Sequence, residues 1–375
     1  MRILIDAVQQ ANHVTGTDRL ARNVLVELQK IDRENTYYIL SSSEYKYVSS
    51  CIHADNFIVT HRPKRSRPTR VLLRSWQYLN SLVPGYGRNV DISMSFHNMS
   101  LVDGVNSARI VCAYDLIPLL MQDSYLASRA ELYYYQLNLK RTSRSADRFL
   151  AISNHTKNDL QAHLNIDPKK ISVISLAADE RFSDHISDMH KRVISEKYNL
   201  PDEFVLALGA NEPRKNIKHL IAAHKLLPKT LQRKYPLIIV GKEWRSISFE
   251  HHLGKYIRYI GYVSDADLPA VYALATVFVY PSLHEGFGLP ILESMTCGTP
   301  VITSLSTATQ EASNDAAILV DPTRPHEIAE QLQSVLEDTY LQRKLINDGR
   351  ARVQQMSWYN TAMQIYQEFA KVTKS

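Results

Sequence analysis

Short apolar runs alternate with helix-patterned stretches from one end of this chain to the other, and that alternation narrows the possible folds sharply. In the first half the strand candidates are 2–8, 37–40, 57–60, 92–96, 109–114, 148–152 and 171–176, with helix candidates at 19–31, 71–82, 126–146 and 154–163. In the second half strands are expected near 203–209, 236–241, 257–260, 276–280, 300–303 and 317–320. Helices are expected there near 216–228, 265–274, 289–297, 325–337, 339–354 and 358–372. Repetition of this βαβ kind gives parallel sheets covered by helices on both faces. A polar, charged stretch from Asp179 to Leu200 separates the two series, and 375 residues leave room for two domains. The expected fold class is α/β, with two Rossmann-like doubly wound domains facing a cleft. They span residues 1–180 and 201–355, joined by a linker at 181–200. Ligands of such sheets bind outside the carboxyl ends of the strands.

Composition removes several classes. Hydrophobic content of 45% and charged content of 22% are those of a water-soluble globular protein. No apolar run approaches the roughly 18 to 20 residues of a membrane span. The opening run Arg2 to Val8 is too short and too soon interrupted by charge for a signal peptide, and reads as a first buried strand. Cys51, Cys112 and Cys297 are far apart, which suggests neither a disulfide framework nor a zinc site and fits a reducing cytoplasm. The net charge of +6 owes part of its excess to Arg62, Lys64, Arg65, Arg67, Arg70 and Arg74. That cluster is either a solvated loop or a contact for anionic membrane at the inner face. Nucleic acid is not an expected partner, because no aromatic platform or recognition-helix pattern accompanies the charge.

One stretch carries most of the chemistry: His284-Glu285-Gly286-Phe287-Gly288-Leu289-Pro290-Ile291-Leu292-Glu293. It follows a strand and combines a glycine-rich turn with a helix start, with Pro290 suited to the first helical position and Gly298 to the C-terminal cap. Free amides of residues 286–289 at such a helix start attract an anion, aided by the helix dipole. Glu285 in the turn and Glu293 inside the helix can each grip hydroxyls, with phosphates between them. That outlines a sugar-nucleotide site. A surface loop with an ordinary amphipathic helix is the plainer reading.

A second loop, Gly209-Ala210-Asn211-Glu212-Pro213-Arg214-Lys215-Asn216, sets two cations between a strand end and a helix. Arg214 and Lys215 suit a diphosphate; the plainer reading is a turn with Asn216 as helix cap. In the first domain, Asp115 ends the run Val111-Cys112-Ala113-Tyr114-Asp115 and either caps a turn or faces substrate. Asp265-Ala266-Asp267 has the D-x-D form of a metal site, but Asp265 is a good N-cap and Asp267 complements the helix dipole. The adjacent pair His251-His252 does not have the spacing of two ligands on one helix face. No metal and no cofactor are expected.

The stretch 284–293 closely resembles the E-x7-E element of the retaining glycosyltransferases of family four, the group 1 glycosyltransferases. The basic loop at 213–216 resembles that family's phosphate loop, although Ala210 stands where many relatives have arginine. Thr15-Gly16-Thr17-Asp18-Arg19 is similar to its first loop, near phosphate and acceptor. Tyr114-Asp115 stands where many relatives have His-Asp; tyrosine donates a hydrogen bond but carries no positive charge near neutral pH. Segments 151–157, 237–242 and 261–268 are similar as well.

The resemblance implies the GT-B architecture, with the helix at 356–375 crossing back toward the N-terminal domain. It also implies transfer of a sugar from a nucleoside diphosphate donor to a hydroxyl of a glycan or lipid-linked glycan, with retention and without metal. Lys215, Arg214, Glu285 and Asp115 take the catalytic positions; Glu293, Gly286, Phe287, Gly288 and Leu289 hold the donor. Gly16, Thr17 and Tyr114 lie near acceptor or phosphate. The donor phosphate itself takes the acceptor proton. The YDLIP and PRKN variants look most like bacterial polysaccharide enzymes that use GDP-mannose. The rivals are a sugar-nucleotide epimerase of similar architecture, a glycosidase using the glutamate pair, and a nucleotide-sugar-binding protein without turnover.

Overall fold

The computed structural model describes residues 1–8, 15–42, 46–62, 90–102, 106–125, 128–209, 212–242, 253–305 and 307–373. The chain divides into two compact units, Met1–Leu176 with Ser357–Ser375, and Ala177–Met356.

The first unit is built on seven parallel strands: β1 (Arg2–Asp6), β2 (Thr36–Ser42), β3 (Phe57–Arg62), β4 (Ile92–Ser95), β5 (Ala108–Ala113), β6 (Arg148–Ala151) and β7 (Ile171–Val173). Their order is β3-β2-β1-β4-β5-β6-β7, so the winding reverses between β1 and β4. Ile3, Leu4 and Ile5 are all fully buried, as expected for a central strand covered on both faces. The helix Gly16–Ile31 follows β1 and opens on a capping box, in which Thr15 accepts from the Asp18 amide and Asp18 accepts from the Thr15 amide.

The terminal helix Trp358–Val372 packs on Gly16–Ile31 and inserts Phe369 beside Tyr37, with ring centroids 6.3 Å apart. Thr361 Oγ1 donates to the Ser175 carbonyl at 2.6 Å, and the Ser175 amide donates to Gln364 at 2.9 Å. These bonds fasten the last helix to the end of the first unit.

The second unit repeats the scheme with β8 (Val205–Leu208), β9 (Leu237–Val240), β10 (Ile257–Tyr259), β11 (Val277–Tyr280), β12 (Val301–Ser304) and β13 (Ile318–Val320). All pairs are parallel in the order β10-β9-β8-β11-β12-β13, and the reversal falls between β8 and β11. Val205, Ala207, Leu237, Ile239, Val277, Val279 and Ile302 form its core with the helices Ile217–Leu226 and Pro325–Glu337.

The expected strands and most expected helices are present, with ends moved by a few residues. Segment 181–200 is not a bare linker. It holds the helix Asp188–Tyr198, capped by Ser187, within the second unit. Only Ile194 of that helix is buried, so it lacks the apolar periodicity that marks a helix in a sequence. Polar bonds fix it instead: Lys197 Nζ and the Tyr198 hydroxyl each donate to Asp267 at 2.7 Å. Asp267, rather than Asp265, is therefore the residue at the start of the helix Leu268–Leu274. Four short helices, Ile117–Leu120, Gln122–Tyr125, Lys229–Lys234 and Ala308–Ser313, escape a periodicity reading because each is less than two turns long. The helix expected at 71–82, the basic residues from Lys64 to Arg74, Ala210 and the pair His251-His252 lie outside the described residues. Among the described residues no helix is long and apolar enough to cross a membrane.

Candidate functional site

The reversal between β8 and β11 opens a crevice at the carboxyl ends of two adjacent strands, where doubly wound sheets receive ligands. Both motifs of the second unit converge there. The chain leaving β8 passes Gly209 and forms the single turn Pro213–Lys215; the chain leaving β11 runs through Ser282 to Glu285. Two links join the loops: the Leu283 amide donates to the Arg214 carbonyl at 2.7 Å, and Asn216 Nδ2 donates to the carbonyls of Pro281 at 3.0 Å and Pro322 at 2.6 Å. Asn216 makes no side-chain helix cap. Its buried amide instead stitches the basic loop to its neighbours.

Lys215, Arg214 and Glu285 form one charged cluster. Lys215 Nζ donates to Glu285 Oε1 at 2.8 Å and also to the Tyr280 hydroxyl, and it lies 4.5 Å from the centre of the Tyr280 ring. Arg214 Nη1 donates to Glu285 Oε2, and its Nε donates to Glu212 at 2.6 Å. The Tyr280 hydroxyl donates to Glu285 Oε1 at 2.8 Å.

Glu285 is only 6% exposed. Burial by itself raises its pKa, but the charges of Arg214 and then Lys215 override this and hold the carboxyl well below the usual range. Burial, followed by the neighbouring Arg214 charge, pushes the Lys215 ammonium down. These two directions differ in what they favour, and the ionised carboxylate is the firmer one because two cations face it. Gly209 makes room for the arrangement: its φ of +115° is left-handed, and a Cβ there would stand 2.3 Å from Lys215 Cγ.

The glycine turn behaves as its residues demand. Gly286, Phe287 and Gly288 are buried, and Gly288 precedes the helix Leu289–Thr296 with φ +109°. An added Cβ at Gly288 would meet Ile291 Cδ1 at 3.1 Å. Pro290 is the second helical residue rather than the first. Glu293, 4% exposed, lies in the second turn of this helix and accepts from the Tyr272 hydroxyl at 3.1 Å.

In the first unit, Asp115 Oδ1 accepts from the Ile117 amide at 3.1 Å, so it does cap the turn after β5. The Tyr114 hydroxyl donates to the Phe96 carbonyl at 2.8 Å and its amide donates to Asn98 Oδ1 at 2.9 Å, uses that brace the loops after β4 and β5. Gly16 is the first residue of its helix, and a Cβ there would meet nothing within 4 Å. Thr17 lines a cavity of about 210 Å³ with Thr15, Asp18, Phe96 and His97, at the reversal between β1 and β4.

Sequence reading overlooked Tyr280, Tyr272, Glu212, Asp6 and His97. His97 Nε2 stands 3.5 Å from Asp6 Oδ1, joining the ends of β1 and β4. A buried-strand pattern hides Tyr280 and Asp6, each the last residue of a strand, and Tyr272 reads as an ordinary buried helix residue. The D-x-D pair is taken up structurally: Asp267 accepts from Lys197, Tyr198 and Ser264, and Asp265 pairs with Arg181 at 3.6 Å.

Comparison with known proteins agrees with this fold. The family model described as glycosyl transferases group 1 matches residues 190–352, and that described as glycosyltransferase family 4 matches residues 52–182. The chain is 32% identical over 308 residues to the serotype-specific mannosyltransferase WbdA of Escherichia coli, a match covering 80% of this chain and 37% of WbdA. It is 36% identical over 241 residues to the O-antigen chain mannosyltransferase B of Escherichia coli, covering 62% of each. The chain thus spans less than two thirds of the length of these relatives. Sucrose-phosphate synthase from Thermosynechococcus elongatus has the same fold, with a TM-score of 0.72 over 99% of this chain and 98% of that one at 20% identity.

Proposed function

We propose that this chain, which belongs to the group 1 glycosyltransferases, moves mannose from GDP-mannose to a hydroxyl of a glycan or lipid-linked glycan, with retention and without a metal. The observation that carries this reading is the buried meeting of Lys215 and Arg214 with Glu285 at the carboxyl-end crevice of the second sheet. Glycosyl transfer must stabilise a departing diphosphate. Fixed cations in a site shielded from water do this without reorganising as charge develops. A helix start such as the one at Leu289 offers backbone amides to an anion, a second source of donors for the same charge.

Glu212, Arg214, Lys215 and Glu285 together carry two positive and two negative charges. An entering diphosphate competes with the carboxylates for the cations. Glu285 then turns from counterion to acceptor of donor-sugar hydroxyl bonds, and its charge eases the positive charge growing on the sugar ring. Glu293, held by Tyr272, takes the ribose hydroxyls. Retention follows if the leaving phosphate accepts the proton of the incoming hydroxyl on the same face. Similarity to WbdA and to O-antigen chain mannosyltransferase B supports mannose as the sugar and a polysaccharide as the acceptor.

The test is transfer from GDP-mannose to a mannoside acceptor in the presence of chelator, with the new linkage read by NMR. An α-linked product formed at an undiminished rate is expected. A β-linked product, or a rate abolished by chelator and restored by a divalent ion, would overturn the mechanism.

A further inference from the structure

We propose that Tyr280 is a positioning residue of sugar transfer: its hydroxyl keeps the Lys215 ammonium in place for the departing diphosphate while Glu285 passes to the donor sugar. The role presupposes that Lys215 meets the diphosphate. Tyr280 closes β11 and is 1% exposed. Its ring stacks on Phe278 with centroids 5.4 Å apart, and its carbonyl accepts from Thr303 Oγ1 at 2.9 Å, so ring and backbone are both fixed. The hydroxyl meets the two charged groups at once, accepting from Lys215 Nζ and donating to Glu285 Oε1 at 2.8 Å.

Chemistry sets the direction of these bonds. An ionised carboxylate only accepts and an ammonium only donates, so the single hydroxyl proton points to Glu285 and a lone pair faces Lys215. Burial, followed by the Glu285 charge, pushes the Tyr280 hydroxyl well above its ordinary range, so it keeps that proton. An ammonium has three N–H donors. Among the described residues one from Lys215 goes to Glu285 and one to Tyr280, which leaves the third for a phosphate oxygen. When a diphosphate draws Lys215 away from Glu285, Tyr280 is the protein acceptor that remains. Being neutral, it locates the ammonium without cancelling the charge that the leaving phosphate needs. With the hydroxyl removed, Lys215 keeps only Glu285 as an acceptor among the described residues, and its preorganisation goes when that bond opens. Tyr272 offers a built-in comparison: its ring lies 5.3 Å from Phe278 in the same aromatic cluster, but its hydroxyl donates to Glu293.

The experiment is steady-state transfer from GDP-mannose to a mannoside by wild type, Tyr280→Phe, Tyr272→Phe, Lys215→Ala and the double variant of Lys215→Ala with Tyr280→Phe. Tyr280→Phe keeps the ring on Phe278 and should retain the wild-type circular dichroism spectrum. Tyr280→Met, which also lacks the hydroxyl, takes its place if the phenylalanine variant does not fold. Tyr280→Phe should lower kcat about 10–100-fold, as loss of a hydrogen bond to a charged group does, with KM for the donor within about threefold of wild type. In the Lys215→Ala background the same deletion should cost less than about threefold, because the group it positions is gone. A packing role would cost the same in both backgrounds. Tyr272→Phe should instead raise KM with kcat unchanged. No transfer by wild type, or Lys215→Ala at the wild-type rate, would overturn the diphosphate reading and this role with it. If Lys215→Ala does lose activity, three results would overturn the Tyr280 role alone. These are Tyr280→Phe within about twofold of wild type, equal losses in both backgrounds, or the same kcat loss in Tyr272→Phe.

Discussion

Lys215→Ala should lower kcat/KM for sugar transfer by about 10²–10³, the loss seen when one preorganised donor to a developing anion is removed. The expectation rests on placement. Lys215 is 8% exposed, its stem fills the space that a Cβ on Gly209 would take, and its ammonium lies between Tyr280 and Glu285. No alternative cation slides into that volume, because Arg214 is already held by Glu212 and Glu285. The substitution should act mainly on kcat, since the charge it meets grows as the diphosphate leaves. Steady-state kinetics on variant protein with a wild-type circular dichroism spectrum provides the check. A rate within threefold of wild type would remove Lys215 from the diphosphate.

Glu285→Gln should destabilise the second unit by about 3–5 kcal/mol at neutral pH, as breaking a buried ion pair from one side does. The glutamine retains shape and some hydrogen bonding, yet Arg214 and Lys215 lose their shared counterion and repel each other. The effect depends on pH in a definite direction. Because the folded-state pKa of Glu285 lies below that of the unfolded chain, its contribution is fully present above the ordinary carboxylate range of about 4.3. It fades as pH falls from there through the depressed folded value, about 2. Wild-type urea stability should therefore drop across that interval more steeply than the stability of the variant. Parallel acid profiles, with equal stability at neutral pH, would show that the carboxylate is not the partner of both cations.

Much of this was legible in the residues because the physics was local. Strands such as Val277–Tyr280 are continuous apolar runs, and the glycine turn and Pro290 mark the helix start without tertiary help. Lys215 and Glu285 could be suspected separately, each by its place after a strand. Their direct bond could not be read, because it depends on β8 and β11 being neighbours although 68 residues of chain separate Leu208 from Val277. For the same reason Asp6 and His97 were invisible until β1 and β4 proved adjacent.

The helix Asp188–Tyr198 was hidden by its polarity, since what holds it is a cluster of bonds at Asp267 rather than an apolar stripe. Asp115 and Tyr114 show the reverse difficulty. The residue types allowed a role at substrate, while the structure gives the Asp115 carboxylate a backbone amide and the Tyr114 hydroxyl a backbone carbonyl.

The central claim is that the cluster of Lys215, Arg214 and Glu285 receives the diphosphate of a sugar nucleotide. Thermal unfolding of wild-type and Lys215→Ala protein with GDP, UDP or ADP, each with and without chelator, tests it most directly. A ligand that binds only the folded state adds about 2.7 kcal/mol of apparent stability at a hundredfold excess over Kd. The account predicts a chelator-insensitive rise in Tm with GDP for wild-type protein, strongly reduced in the variant. Equal rises in both proteins, or no rise with any nucleotide, would contradict it.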